Sequence, residues 1–155
     1  MHKFTIITVG KIKFTFWNSA VEHYRKRLEK ICKINSIYLK DAPAALNEQD
    51  KKTHEGQRIL AAIPNGSHVI CLDEHGQNLT SRELAVQIEK VENCAKMPCF
   101  IVGGAYGLAA EVLQKADQTV CMGKLTYTHE LAQAILWEQL FRIDSIHRKT
   151  GYHHD

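Results

Sequence analysis

The chain has 155 residues, of which 45% are hydrophobic and 24% charged, with 9 glycines and 3 prolines. This length and balance predict one globular domain over residues 1–155, and they exclude a disordered, collagen-like or coiled-coil protein. A net charge of +3 is too small to indicate a nucleic-acid-binding protein by itself. We find no run long enough to cross a membrane, no secretory signal and no cysteine pair with metal-binding spacing. We therefore expect a cytoplasmic protein with neither a membrane partner nor a bound metal.

Strand-like and helix-like segments alternate along the whole chain, which is typical of an α/β protein whose sheet is covered by helices. The expected strands are 3–9, 34–39, 68–73, 99–102 and 119–122, and the expected helices are 17–31, 48–63, 84–91, 108–115 and 129–147. Residues 74–78 should break the third strand, and Thr80 with Glu83 should form a capping box at the next helix. The last helix is apolar around much of its circumference. We therefore expect it to be buried on more than one side, as at a dimer interface.

Basic residues concentrate in two stretches that could contact phosphate. They are Arg25, Lys26, Arg27, Lys30 and Lys33 in the first helical segment, and Arg142, His147, Arg148, Lys149, His153 and His154 near the C-terminus. A basic stretch is more often the solvated face of a helix than a ligand site, and composition alone favours that interpretation.

A glycine-rich segment, 103–107, lies between an apolar strand and a helix start. Glycine lets the backbone approach a ligand closely, and amides at a helix start suit polar or anionic groups. A simple tight turn explains the same residues equally well. The segment is not a dinucleotide fingerprint, because the first strand–helix turn offers only Gly10. A P-loop is also excluded, because Gly123-Lys124 is followed by Leu125 and lacks the upstream glycine.

Polar residues near the C-terminus are candidates for chemistry. Glu138 and Arg142 are four positions apart on the last helix, so they can pair on one face, although a surface ion pair explains them as well. His129, near the start of that helix, could be catalytic or simply polar. Tyr152 and His153 lie in a tail that is either incidental or becomes ordered on a ligand.

Six short motifs follow one another at characteristic spacings. They are Thr8-Val9-Gly10, Leu72-Asp73-x-x-Gly76 with Thr80-Ser81-x-Glu83, the run 100–108, Leu125-Thr126-x-x-His129, Glu138-Gln139-x-x-Arg142 and Tyr152-His153. Each motif is ordinary by itself, whereas the ordered set is specific and covers nearly the whole chain. The set resembles the RlmH family of SPOUT-class methyltransferases, which use S-adenosylmethionine to methylate N3 of a pseudouridine in 23S ribosomal RNA of the large subunit.

The resemblance implies a SPOUT-type α/β knot, with a mostly parallel sheet, helices on both faces and a trefoil knot in the C-terminal half. It implies a homodimer with 23S ribosomal RNA, in the assembled ribosome, lying across the subunit boundary, and no DNA partner. It also implies that three strand ends hold S-adenosylmethionine. The corresponding positions are Leu72, Gly103, Gly104, Met122, Gly123, Lys124, Leu125, Thr126 and Tyr127.

The methyl acceptor sets a requirement of its own, because N3 of a uracil-type ring carries a proton at neutral pH. The reaction therefore needs a base or a group that stabilises the N3 anion. We expect Tyr152 to stack on the base and His153 to hydrogen bond to it. Arg142, Glu138 and His129 are expected to organise the pocket and the tail. The sequence does not identify the base, and bulk water acting on a positioned ring is an alternative.

The chain departs from the family pattern at three positions. Thr128 stands where proline is usual, Gln133 where arginine is usual, and His154 where lysine or arginine is usual. The loss of two fixed positive charges should weaken phosphate contacts, although other basic residues could compensate. Those residues are Lys124, Arg148 and Lys149.

Two other functions stay open at this point. One is a non-enzymatic α/β module that binds RNA or the ribosome through its basic helix and tail, with purely structural glycines. The other is a small-molecule methyltransferase, which the basic tail disfavours. Stabilisation by S-adenosylmethionine would separate an enzyme from a binding module.

Overall fold

The computed structural model describes residues 2–154. Its strands are β1 (Lys3–Val9), β2 (Lys33–Leu39), β3 (Ser67–Asn78), β4 (Met97–Val102) and β5 (Gln118–Cys121). Its helices are α1 (Thr15–Leu28), α2 (Glu48–Ala62), α3 (Ser81–Asn93), α4 (Ala110–Lys115) and α5 (His129–Arg148). Every expected element is present in the expected order, with some ends displaced by a few residues. Within this part of the chain, no helix is both long and apolar enough to span a bilayer.

The five strands form one parallel sheet in the order β2-β1-β4-β3-β5. Alternate strand residues point to opposite faces of a sheet, and each face carries its own core. Phe4 and Phe100 belong to the core under α1, α3 and α5, whereas Ile7 and Ile101 belong to the core under α2 and α4. The predicted α/β class with helices on both faces is therefore confirmed. Strand order does not decide the path of the loops, so the trefoil knot stays a prediction.

Helix α5 is largely buried by its own chain. Leu136, Leu140 and Ile143 are fully buried, and α5 packs against α1, α3 and β4. Two apolar residues of this helix, Leu131 and Ile135, are only half-buried and belong to neither core. The chain therefore covers most but not all of the apolar circumference of α5, and the homodimer stays a prediction.

Helix α3 begins with the predicted capping box. The Glu83 backbone N–H donates to Thr80 Oγ1 at 3.2 Å, and the Thr80 backbone N–H donates to Glu83 Oε2 at 2.7 Å. The Thr80 backbone N–H and the Thr80 hydroxyl both donate to the Glu83 carboxylate and lower its pKa, because they favour its charged form. Two orphan backbone donors are satisfied in this way, and the helix start is fixed directly after β3.

Strand β3 continues through the segment 74–78, where the sequence predicts a break. It pairs with Val120 of β5 through Leu72 and again through Gln77, so the residues between them bulge out of the ladder. A Cβ atom on Gly76 would lie 2.6 Å from the backbone nitrogen and carbonyl carbon of Val120. The predicted break is therefore wrong, because this glycine lets two backbones pack closely instead of ending the strand.

Replacing Gly76 with alanine is expected to lower the free energy of unfolding by about 1 to 3 kcal/mol, because a strand must move to admit the Cβ atom. Urea unfolding followed by circular dichroism measures this change. Gly66→Asn is the matched control, because a Cβ atom there meets nothing within 4 Å and asparagine tolerates a positive φ. Equal stability of the two variants would contradict the close backbone packing.

Candidate functional site

Three segments at the carboxyl ends of neighbouring strands enclose a cleft of about 750 Å³. They follow the first part of β3, the end of β4 and the end of β5, and such ends are the usual ligand-binding edge of an open parallel sheet. The lining residues from these segments are 72–75, 102–108, Met122, Gly123 and 125–129. Eight of the nine residues predicted to hold the cofactor line the cleft, whereas Lys124 is exposed and does not.

Gly103 and Gly104 line the cleft for a reason that differs from the expected one. The sequence predicts that they keep side chains out of a ligand's way. A Cβ atom on Gly103 would instead lie 2.9 Å from the backbone of Gly107, and one on Gly104 would lie 2.7 Å from the Glu55 carboxylate. Glu55 is buried and accepts a hydrogen bond from the Ala42 N–H at 3.0 Å. The two glycines therefore let the loop fold against the protein itself, which fixes the loop backbone in the cleft wall.

The cleft wall carries more negative than positive charge. Its acidic and basic lining residues, histidines aside, are Glu48, Asp73, Glu74 and Lys52. The Asp73 carboxylate accepts a hydrogen bond from the His75 backbone N–H at 3.0 Å. The Thr126 hydroxyl donates to Glu74 and ties the loop after β5 to the bulge in β3. This balance of charge favours a ligand that carries a positive charge.

His129 is the predicted catalytic residue that lies in this cleft. It begins α5, and its Nε2 atom is buried with no hydrogen-bond partner among residues 2–154. Such an unpaired nitrogen costs free energy, which a polar ligand atom in the cleft would offset. A Cβ atom on Gly10 would lie 3.0 Å from this nitrogen and 2.8 Å from the Asp41 carboxylate. His129 therefore marks the boundary between the cleft and the turn after β1.

The other four predicted catalytic residues form a separate group, which we call the tail cluster: Glu138, Arg142, Tyr152 and His153. Arg142 donates to Glu138 across one turn of α5, and the Tyr152 hydroxyl donates to Glu138 at 3.1 Å. An Arg142 nitrogen lies 3.2 Å from His153 Nδ1, and the guanidinium lies 4.9 Å from the centre of the Tyr152 ring. Arg142 and Glu138 therefore dock the tail on α5. None of the four residues lines the cleft.

Two members of the tail cluster, Tyr152 and Arg142, have raised pKa values. The hydroxyl contact with Tyr24 at 3.4 Å, partial burial and the nearby Glu138 carboxylate raise the pKa of Tyr152. Its phenol therefore stays protonated at neutral pH and acts as a donor rather than a base. The hydrogen bond to Glu138 raises the pKa of Arg142, which stays a cation.

A family model described as "Predicted SPOUT methyltransferase" matches residues 2–153. The chain belongs to the SPOUT methyltransferase family. A protein named ribosomal RNA large subunit methyltransferase H from Nitratidesulfovibrio vulgaris (strain DP4) is 43% identical over 156 residues and 100% of both chains. A protein of the same name from Exiguobacterium sibiricum is 39% identical, over 96% of this chain and 98% of its own. The resemblance to the RlmH group of SPOUT enzymes is thereby confirmed.

Structural comparison supports the same fold. A solved structure described as "a probable methylase family protein" from Haemophilus influenzae Rd KW20 superposes with a TM-score of 0.57 at 15% identity. The match covers 96% of this chain and 67% of that chain. At this identity the likeness concerns the α/β fold alone.

Thr128, one of the expected departures from the family pattern, suits the helix start that it occupies. Its φ of −63° and ψ of 150° lie in the range that proline adopts. Its hydroxyl accepts a hydrogen bond from the Leu131 N–H at 3.3 Å and so caps α5. Threonine, which caps the helix, thus stands in place of the expected proline on a backbone that proline could also adopt. The same backbone positions His129 at the start of α5.

The other departures differ in exposure. His154 is exposed, whereas Gln133 is only 5% exposed and lies outside the cleft at the strand ends. Among the basic residues that could compensate, Arg148 donates at 2.7 Å to the buried Asp144 carboxylate. Lys124 and Lys149 are exposed. The chain thus keeps two exposed lysines for phosphate contacts, and a structural ion pair holds the arginine.

The site residues predicted from the sequence do not include the acidic residues of the cleft. Asp73 and Glu74 directly follow a buried strand run, at the edge where parallel sheets bind ligands, and this signal could have identified them. Glu48 and Lys52 reach the cleft from α2. Nothing in their local sequence indicates that α2 faces this edge.

Replacing Thr128 with alanine is expected to lower the free energy of unfolding by about 1 kcal/mol, because the cap of α5 is lost. Thr128→Pro should stay closer to wild type, because restricting the unfolded chain offsets the loss by about 0.4 to 1 kcal/mol. Urea unfolding of the two variants measures the difference. A proline variant less stable than the alanine variant would show that the backbone at this position rejects proline.

Proposed function

We propose that this protein uses S-adenosylmethionine to methylate N3 of a pseudouridine in 23S ribosomal RNA of the large subunit. One observation carries the proposal. The strand-end cleft lies in a chain that is 43% identical, over its full length, to a protein named ribosomal RNA large subunit methyltransferase H. The whole chain acts as one methyltransferase domain on the assembled ribosome in the cytoplasm, and neither DNA nor a membrane takes part.

The cleft suits S-adenosylmethionine in size and charge. Its volume of about 750 Å³ falls within the range of about 300 to 1,000 Å³ that is usual for small-molecule sites. Backbone groups of the loops 102–108 and 122–127 suit the adenine ring and the methionine part. The carboxylates of Asp73 and Glu74 suit a sulfonium cation. The cofactor supplies an electrophilic methyl group, so the protein has to position the acceptor and manage one proton.

The residues of the chain divide the acceptor chemistry between them. Tyr152 is unsuited to take the N3 proton because its pKa is raised, so we assign it to stacking, and we assign His153 to a hydrogen bond with the base. The Arg142 guanidinium beside His153 stabilises the ring anion that forms as N3 loses its proton. The unpartnered Nε2 of His129 is the candidate proton acceptor on the cofactor side.

A homodimer reconciles these roles with the geometry. His129 lines the cleft and the tail cluster does not, so a single chain does not bring the base-handling residues to the cofactor. In a homodimer, the tail cluster of one chain meets the cleft of the other, and the RNA lies across the boundary. Leu125, 72% exposed at the cleft rim, offers an apolar contact for that meeting.

A large side chain at the cleft mouth is expected to abolish cofactor binding and methylation. Ala105 is exposed and lines the cleft, whereas Ala45 is exposed outside it, so Ala105→Trp and Ala45→Trp form a matched pair. Calorimetry measures S-adenosylmethionine binding. Mass spectrometry measures N3-methylpseudouridine in 23S ribosomal RNA from cells that lack the gene and carry each variant. Ala45→Trp should restore the modified nucleoside, and Ala105→Trp should not.

A melting measurement, together with the mass spectrometry, separates the enzyme from the alternative function. The wild-type protein should melt several degrees higher with excess S-adenosylmethionine. A non-enzymatic module that binds RNA or the ribosome would not respond, and the nucleoside would persist in cells without the gene. Either of these results would overturn the proposed reaction.

Combining two inactive variants in one dimer is expected to restore methylation. Ala105→Trp blocks the cleft, and Tyr152→Ala removes the ring from the tail cluster. A heterodimer then has one site with both defects and one with neither, so random pairing should return about one quarter of the wild-type activity. Transfer of labelled methyl groups to ribosomes from cells lacking the gene measures the recovery.

The controls are the two variants expressed separately, and native mass spectrometry verifies the heterodimer in the co-expressed sample. Activity that stays absent in a verified heterodimer would mean that each chain builds its site alone. A monomeric wild-type protein would also contradict the shared site.

A further inference from the structure

A second cavity, which we call the basic groove, lies beside the cofactor cleft at the carboxyl ends of β1 and β2. It has a volume of about 830 Å³. Val21 and Trp137 contribute to its apolar wall, and its basic lining residues are Lys11, Lys13, Arg25 and Lys40. The groove meets the cleft at Gly10, which lines the groove and packs against the His129 ring. A ligand in the groove would therefore lie next to the cofactor site.

A buried side chain in the groove is left without a partner. Gln133 is 5% exposed and lines the groove, and its Nε2 atom has no hydrogen-bond partner within the described part of the chain. Buried amides are normally hydrogen bonded, so this one favours an occupant with a polar edge. A carboxamide presents a donor and an acceptor side by side, which matches the edge of a nucleobase. Trp137, one helical turn further along α5, is 4% exposed and contributes an apolar contact in the groove wall.

The groove has the opposite charge balance from the cleft. Its four basic lining residues face two carboxylates, those of Glu22 and Asp41. Glu22 pairs with Arg25 at 2.9 Å, which leaves three lysines and Asp41. The groove therefore favours an anion such as a phosphate, whereas the cleft favours a cation.

Two exposed aromatic rings lie close to the groove along the chain. Phe14 and Phe16 are 56% and 58% exposed, and their stacked rings lie 5.3 Å apart. Phe14 directly follows Lys13 in the chain. Aromatic rings beside a basic groove are the combination that binds single-stranded nucleic acid through stacking and phosphate contacts. A free nucleotide would leave these rings uncovered, so an RNA strand accounts for more of the surface.

We propose that the basic groove binds one unpaired nucleotide of the RNA substrate. Its base lies against Trp137 and the Gln133 amide, and its phosphate lies at Lys11 and Lys13. The next nucleotide stacks on the exposed aromatic pair. This proposal rests on RNA being the substrate, as proposed above, and it identifies where the strand enters beside the cleft.

Uridine monophosphate is the probe for the groove, and hexauridylate is the probe for the strand. In isotope-labelled protein, the side-chain amide signal of Gln133 is assigned by its loss in Gln133→Met. This signal should shift with uridine monophosphate, and with hexauridylate at lower concentration, whereas inorganic phosphate alone should leave it in place. Gln133→Met should weaken hexauridylate binding about threefold to tenfold, because a hydrogen bond to the base is lost.

A pair of lysine variants tests the phosphate contacts. Lys11→Ala combined with Lys13→Ala should reduce the magnitude of the negative slope of log affinity against log salt by about 1.4, since each contact to a single strand contributes about 0.7. Lys90→Ala combined with Lys96→Ala removes the same charge from exposed residues outside the groove and should leave the slope unchanged. All variants should bind S-adenosylmethionine like the wild type, which checks that they are folded.

Several results would overturn the proposal. An equal response to inorganic phosphate means an anion site without base recognition, and a response to uridine monophosphate but not to hexauridylate means a site for free nucleotides. A Gln133 signal that changes only with protein concentration means that a second copy of the chain fills the groove. A signal that responds to none of the probes means that the groove is not a binding site. None of these measurements needs methyl transfer. If ribosomal RNA methylation proves absent while the groove responds as expected, the proposed reaction fails and the groove assignment stands.

Discussion

The backbone of β3 lies directly against the backbone of β5 at Gly76, and the form of the cleft depends on that contact. Because no Cβ atom fits there, β3 stays close to its neighbour, and both sides of its bulge pair with Val120. The bulge carries acidic side chains into the cleft. The Thr126 hydroxyl then donates to Glu74 and ties the loop after β5 to the same bulge. One glycine therefore sets the relative position of two of the three segments that enclose the cleft.

The sheet edge separates two opposite electrostatic requirements. A sulfonium cofactor is favoured by negative charge and an RNA strand by positive charge, so a single pocket would suit one ligand poorly. The ends of β3, β4 and β5 carry the acidic cleft, whereas the ends of β1 and β2 carry the basic groove. The two cavities meet at Gly10 and His129. Because different strands carry the two cavities, the negative and positive potentials remain separate although the proposed ligands lie next to each other.

Most elements could be predicted because local patterns encode them, whereas the loops of the cleft are predicted from the family resemblance. The capping box is an example of a local pattern, since the spacing of Thr80 and Glu83 specifies a helix start. The extension of β3 could not be predicted, because Gly76 has the pattern of a turn unless the backbone that it faces is known. The apolar circumference of α5 does not say whether α1 and α3 or another chain covers it. In the sequence, Gln133 is only a position where the family pattern has arginine. Its buried amide without a hydrogen-bond partner is found only in the folded structure.

The length of α5 gives a further reason for a site shared between chains. His129 begins this helix, and Arg142 follows thirteen positions later, which corresponds to about 20 Å along the helix axis at 1.5 Å per residue. Two side chains separated by that distance cannot act on one atom of a nucleobase within a single chain. Two antiparallel copies of α5 would bring the start of one helix beside the end of the other. The tail cluster, docked on the far end of α5, would then face the partner's cleft, which is the arrangement that methyl transfer to a positioned base requires.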